Sequence, residues 1–294
     1  MQRQSKMNDK IVLITGGTGG IGKQTALELA RLGAHVVVTG RSQASGEAAV
    51  SELQELSGSP AINLLLADLS TQAGVRSLAK AFTQAHSHLD VLINNAGLAS
   101  SERRITEDGV EAGFAVNAIA PVLLTQLLMD RLKSSASARV ITVTGGRHPD
   151  TIELDNLQAE RSFEGLNSYS HSKLIMMALM IEFSQRVEGT NVTLNVCYPG
   201  NATTSMTQNV TPKMLPGIMR LFWPLFKLMT RPDSGQSAAK AARSSIYLAS
   251  SPDVGGINGT YFDTASEKVD WPEAGLNPAT RRHLWGLVEQ LTAS

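Results

Sequence analysis

The apolar run Ile11-Val-Leu-Ile-Thr15 passes directly into Gly16-Gly17-Thr18-Gly19-Gly20-Ile21-Gly22, and a helical apolar spacing (Ile21, Thr25, Leu29, Leu32) begins at once. A strand apolar at every position is buried on both faces, as in parallel sheets covered by helices. Glycines between such a strand and a helix permit a tight turn, a close approach of backbone to a diphosphate, and close packing of helix on strand. The unpaired N–H groups at the helix start, with their partial positive charge, suit phosphate oxygens. Flanked in this way, the glycine stretch reads as a dinucleotide cradle rather than a flexible loop.

The same alternation continues. Strands are predicted at 34–39, 61–67, 91–93, 139–144, 192–197 and 259–262, and helices at 45–56, 75–85, 107–116, 121–132 and 168–187. Such a succession builds a parallel sheet with helices on both faces and right-handed crossovers. The chain reads as one domain over 1–294 with an apolar insertion at about 205–230.

With 42% hydrophobic residues among 294, the core is ample, and 26 basic residues balance 26 acidic ones. That balance leaves no basic field for nucleic acid. A single cysteine, Cys197, excludes an intrachain disulfide and fits a reducing, cytoplasmic setting. The N-terminus lacks the apolar segment of a signal peptide. The most apolar long stretch, 214–229, is interrupted by Pro216, Arg220, Pro224 and Lys227, so no membrane-spanning helix is expected. His86 and His88 lack a third ligand at recognisable spacing, so no metal site is expected.

Tyr169 and Lys173 lie four apart in the predicted helix 168–187, on one face and one turn from each other. A phenol is a poor acid–base group at neutral pH. A nearby ammonium favours its anion and lowers its pKa. At the end of the second strand, Thr39-Gly40-Arg41-Ser42 carries a guanidinium and no carboxylate. An acidic residue there would accept from the ribose of NAD, whereas Arg41 matches the 2′-phosphate of NADP.

The Thr15-Gly16-x3-Gly20-x-Gly22 spacing, Asn94-Asn95-Ala96-Gly97, Tyr169-x3-Lys173 and Pro199-Gly200 occur in an order that resembles the short-chain dehydrogenase/reductase family over nearly the whole chain. Ile21-Gly-Lys-Gln-Thr25, Thr39-Gly-Arg41, Tyr169-Ser-His-Ser-Lys-Leu174 and Arg282-His-Leu-Trp285 are most similar to its retinol dehydrogenase and WW-domain oxidoreductase branch. The resemblance implies a Rossmann-type doubly wound sheet and an NADP(H)-dependent oxidoreductase acting on a carbonyl or alcohol. It implies cofactor contacts at Gly16, Thr18, Gly20, Ile21, Gly22 and Arg41. Asp68 and Leu69 would flank the adenine, and Asn95, Ala96 and Gly97 would line the ribose side. Pro199, Gly200 and Thr204 would hold the nicotinamide amide. Tyr169 would be the general acid/base, Lys173 its tuner and a ribose ligand, and Asn117 the holder of a relay water.

One departure from the family pattern stands out. Its members carry a Ser just after the fifth strand, where this chain reads Val143-Thr144-Gly145-Gly146. The strand register places Gly145 at that position; counting back from Tyr169 places Thr144 there. Thr144, a backbone N–H of the glycine pair or water would then supply the missing donor. Alternatively the protein is a weakly catalytic NADP(H)-binding sensor or partner-binding module. The residues of 205–230, with Met206, Met214, Phe222 and Trp223 among them, suit a deformable lid over a hydrophobic substrate, and Arg220 and Lys227 allow a peripheral membrane contact. The helices 121–132 and 168–187 are apolar nearly all round, so a second face of each wants a cover; the resemblance implies a homodimer packed through these two helices, with burial beneath loops of the same chain as the alternative.

Overall fold

A computed structural model describes residues 7–145, 147–200, 210–215, 223 and 236–293, with only the backbone at 236 and 237. Eight strands form one sheet in the order β3-β2-β1-β4-β5-β6-β7-β8. They are β1 (Ile11–Ile14), β2 (His35–Gly40), β3 (Ile62–Leu66), β4 (Val91–Asn94), β5 (Ala138–Val143), β6 (Val192–Cys197), β7 (Thr260–Phe262) and β8 (Lys268–Val269). The first seven pair in parallel, and β8 closes the edge as an antiparallel hairpin partner of β7. The sheet reverses its winding between β1 and β4, the point at which doubly wound folds open a crevice beyond the strand ends.

Successive strand residues point to opposite faces. Leu13 therefore joins one core with Val37, Leu92, Val140 and Val196, while Val12 and Ile14 join the other with Val36, Val38, Ile93 and Ile141. Helices α1 (Gly20–Arg31) and α2 (Gln43–Ser57) cover the second core. The first is covered by α3 (Gln72–Ala85), by α4 (Ala112–Phe114), which runs through a π turn at Ala115–Ile119 into α5 (Ala120–Leu127), and by α7 (Gly165–Arg186); a short α6 (Met129–Lys133) precedes β5.

The sequence-based start of the 107–116 helix is five residues early. Gly109 sits at φ +73°, and the Glu111 carboxylate accepts from Phe114 N–H at 2.7 Å, capping a helix that begins at Ala112. Left-handed backbone followed by an acidic cap ends one path and starts another.

The apolar faces of α5 and α7 are buried within the chain itself. Leu174 to Phe183 are buried, and the C-terminal helix Pro278–Thr292 lies on α7. The Trp285 ring meets Phe183 edge-on at 5.1 Å, the Arg186 guanidinium lies 4.3 Å over that indole, and Arg281 pairs with Glu182 at 3.6 Å. A helix of the same chain fills the place assigned to a second copy, and the reason for expecting a dimer there disappears. Among the described residues no helix is long and apolar enough to cross a membrane. Truncating Trp285 to Ala is expected to cost about 3 kcal/mol, the range for removing a buried aromatic. A urea-denaturation midpoint unchanged from the parent would show that this helix does not hold α7.

Candidate active site

The glycine turn is shaped by what each missing side chain would strike. Gly16 has φ +64°, and a Cβ on Gly22 would lie 2.4 Å from the Gly16 carbonyl oxygen. A Cβ on Gly19 would meet open space instead. Gly19 caps α1 without a side-chain hydrogen bond, and no acidic residue stands in the first turn. The turn thus presents backbone N–H groups to an open cradle, which fits a diphosphate. Thr15 Oγ1 accepts from the N–H groups of Asn95 and Ala96, both at 3.0 Å, clamping the end of β1 to that of β4. The Asn95 amide turns inward to the carbonyls of Thr15 (2.9 Å) and Gly16 (3.2 Å), so it braces the turn.

At the far end of this cradle Arg41 is exposed just past β2, and Thr18 packs against Gly40. Asp68, also exposed, accepts from Ser70 N–H at 2.9 Å and Ser70 Oγ–H at 2.7 Å. Those bonds, with the fields of Arg41 and Arg104, hold its carboxyl below the ordinary value. Leu69 beside it is buried. Arg104, on the loop after β4, is a second cation at this end that the sequence reading missed.

At the other end, α7 carries Tyr169 and Lys173 on successive turns. Lys173 is 3% exposed and its Nζ donates to the Val143 carbonyl at 3.0 Å. A Cβ on Gly97 would lie 3.5 Å from Asn117 Oδ1 and 3.6 Å from Lys173 Nζ, so Gly97, Asn117 and Lys173 close on one point. Asn117 is fully buried within the π turn, where Ala120 N–H reaches back five residues to the Ala115 carbonyl. Its Nδ2 donates to the Leu98 carbonyl and to Ser172 Oγ, both at 2.9 Å, and its Oδ1 accepts from Leu98 N–H at 2.8 Å. Both amide protons are engaged, tying the β4 loop to α7. Ser172 Oγ–H in turn donates to the Tyr169 carbonyl at 2.7 Å.

A Cβ built on Gly145 would stand 2.6 Å from the Tyr169 hydroxyl. Thr144 is 2% exposed, its N–H bonds the Cys197 carbonyl at 3.0 Å, and its Oγ1 has no partner among the described residues. The structure puts Gly145 against the phenol. One residue changes the face at a strand end, which is why two counts one apart gave opposite answers.

A description of the short chain dehydrogenase family matches residues 10–215, spanning the glycine turn, the Asn117 turn and the Tyr169–Lys173 pair. The chain belongs to the short-chain dehydrogenase family. Retinol dehydrogenase 14 of Homo sapiens is 36% identical over 96% of this chain and 86% of its own length. Polyprenol dehydrogenase of Homo sapiens is 33% identical over 97% and 85%. Among solved structures, an uncharacterised protein from Mycobacterium paratuberculosis superposes with a TM-score of 0.75 at 26% identity, covering 98% of this chain and 94% of that one. The Pseudomonas aeruginosa RhlG/NADP active-site complex gives 0.66 at 25% identity, covering 94% and 100%.

Two features of this short-chain dehydrogenase differ from the sequence-based expectation. Burial, with the nearby Tyr198 phenol, raises the pKa of Tyr169 above its ordinary value, although the spacing predicted that Lys173 would lower it. The Lys173 ammonium is turned onto the Val143 carbonyl, and burial brings it down to about 8. Enclosure disfavours the charged form of each group, the opposite of the pairwise effect that the spacing predicted. Pro199 is buried and Gly200 stands at φ +78° just past β6, while Thr204 lies outside the described residues. Of the 205–230 insertion, 210–215 and 223 are described; Val210, Met214 and Leu215 are buried. A Cβ on Gly165 would meet Met214 Cα at 2.7 Å and the Ser100 carbonyl at 3.0 Å, so this segment closes against the start of α7 and the β4 loop.

Burial lowers the pKa of His86, His148 and His171 from the ordinary 6.5. His171 Nε2 accepts from Glu153 N–H at 3.0 Å, a bond only the unprotonated nitrogen makes. Below pH 6.5 the unfolded chain binds protons that the folded one resists, so stability falls as the solution is acidified. Asp68 and Asp90, both held below the ordinary 3.8, add a further loss below that pH. The urea midpoint should drop between pH 7 and pH 5; a midpoint that rose on acidification would contradict the histidine burial.

Proposed function

We propose that this chain is an NADP(H)-dependent oxidoreductase that moves a hydride between the nicotinamide and a hydrophobic carbonyl or alcohol, with Tyr169 as general acid/base assisted by Lys173. The carrying observation is the Tyr169 hydroxyl at the end of β5, with the buried Lys173 one turn on and an open glycine cradle beside it. When bound, NADPH would supply the hydride. Gly16, Thr18, Gly20, Ile21 and Gly22 would hold its diphosphate, Arg41 its 2′-phosphate, Asp68 and Leu69 its adenine, Ala96, Gly97 and Lys173 its ribose, and Pro199, Gly200 and Thr204 its amide.

Tyr169, kept neutral by burial, is poised to donate its hydroxyl proton to the oxygen of a carbonyl being reduced. Lys173, protonated below about pH 8, steadies the phenolate left behind. Asn117 and Ser172 fix the backbone around both groups. The apolar residues of 205–230 would cover the crevice and exclude water, as a lid within a single domain working in the cytoplasm. Relatives named for retinol and polyprenol, both long apolar alcohols, favour a lipophilic substrate.

The test mixes the protein with NADPH or NADH and a panel of hydrophobic aldehydes and ketones, following loss of the reduced cofactor. NADPH-dependent turnover is the expected result. Tight NADPH binding without turnover on any carbonyl would favour a sensor, the reading to which Gly145 lends weight by leaving the site one donor short. Arg41→Ala should weaken NADPH binding about tenfold or more, the scale of a charge-assisted phosphate contact. NADH binding should hardly move, and equal losses for the two cofactors would remove Arg41 from the phosphate.

A further inference from the structure

Beyond Tyr169 lies a group of polar rings that the proposed chemistry does not use. His148 follows Gly145 by three residues on the loop leaving β5. Its Nε2 lies 3.5 Å from the Tyr261 hydroxyl and its ring stands edge-on to Tyr261, with centroids 6.3 Å apart. Tyr261 is stacked on Trp271 at 5.5 Å, and the Trp271 indole N–H donates to the Gly259 carbonyl at 3.1 Å, so the phenol is held in one orientation. Tyr198, whose N–H binds the Phe262 carbonyl at 2.8 Å, carries a phenol whose field raises the pKa of both Tyr169 and Tyr261 beyond the effect of burial. His148 Nδ1 is buried and has no hydrogen-bond partner among the described residues. Buried polar atoms are nearly always paired, and an unpaired one calls for a physical reason.

We propose that the unpaired His148 Nδ1, on the ring whose Nε2 faces the Tyr261 hydroxyl, is a subsite for a second oxygen on the substrate, a hydroxyl or carbonyl remote from the reacting carbon. The inference rests on the proposed oxidoreductase reading and narrows its substrate class to oxygenated lipophilic compounds. The sheet sets the scale. Gly145 lies two residues past β5, and Tyr261 is level with Thr142 of β5 from two strands away, so the strands carrying the two ends of the site are about 10 Å apart. A medium-length chain carrying oxygen at both ends spans that distance. A site with a buried hydrogen-bonding atom rejects an analogue that leaves it unpaired far more strongly than an apolar pocket rejects a missing methylene.

The experiment measures binding by calorimetry in a Tyr169→Phe background with saturating NADP, comparing decanol with its ω-hydroxy diol. The parent background should bind the diol at least about tenfold more tightly. Adding His148→Phe should abolish that preference while leaving decanol affinity in place. His148→Asn, whose amide reaches about where Nδ1 stands, should restore part of it. Equal affinity for the two alcohols in the parent, or a preference that survives His148→Phe, overturns the subsite and leaves Nδ1 to a structural water. Failure of the underlying reading looks different: the diol preference would persist and respond to His148, yet the chain with Tyr169 intact would reduce neither decanal nor its ω-hydroxy counterpart.

Discussion

Tyr169→Phe should lower carbonyl reduction by about 10³-fold while leaving NADPH affinity and thermal stability close to the parent. The substitution removes one oxygen and keeps the ring, so packing around α7 is conserved and only the proton is lost. Positioned general acids contribute about 10²–10⁴ in rate, and here a second donor to the substrate oxygen is missing from its usual place, which puts more of the burden on this one. The direction of the pKa shifts makes a companion expectation. Burial keeps Tyr169 in its acid form across the neutral range. Lys173, brought down to about 8, loses its charge above that pH. Reduction by the parent should therefore be steady near neutrality and decline as pH rises through 8, with the decline in kcat rather than in cofactor binding. A Phe variant retaining a tenth or more of parental kcat in single-turnover reduction would remove Tyr169 from the proton's path.

The part of this site that could be read from sequence is the part fixed by local geometry. A strand buried on both faces, glycines that cannot carry a Cβ and a helix spaced to follow are all written within a few residues, and Gly22 shows why: its Cβ would enter the Gly16 carbonyl. Tyr169 and Lys173 are likewise set by one helical turn. What escaped reading depends on residues far apart in the chain. The apolar circumference of α7 pointed to a second copy because its cover, Trp285 and its neighbours, begins about a hundred residues later and has its own amphipathic pattern. The two-residue β8 carries too little pattern to see. Arg104 and His148 lie in irregular loops where no period applies; a cation or an imidazole just beyond a strand end was their only signal. The downward pull of Lys173 on Tyr169 was sound as a pairwise argument, but spacing says nothing of burial, and burial decided the sign.

Gly145 offers the sharpest way to turn that geometry into a measurement. Adding Ala or Ser there places a Cβ where the structure allows 2.6 Å to the Tyr169 hydroxyl, too close for either. The atom struck is the far end of an aromatic side chain rather than backbone, so the phenol can swing aside, by most of an ångström to reach ordinary contact. Ala gains nothing for that displacement, and small misplacements of a catalytic group are costly; kcat should fall about tenfold or more. Ser suffers the same displacement but brings a hydroxyl to the side of the substrate oxygen, and one such donor is worth about 10²–10³ in rate. Gly145→Ser should therefore outrun Gly145→Ala by about 10² and exceed the parent about tenfold, with NADPH affinity equal in all three. The comparison isolates the hydroxyl, because both variants share the steric change. If Ser and Ala were equally slow, the oxygen of the substrate would have to meet its second donor elsewhere, and Thr144, whose buried Oγ1 lacks a partner among the described residues, would return as the candidate.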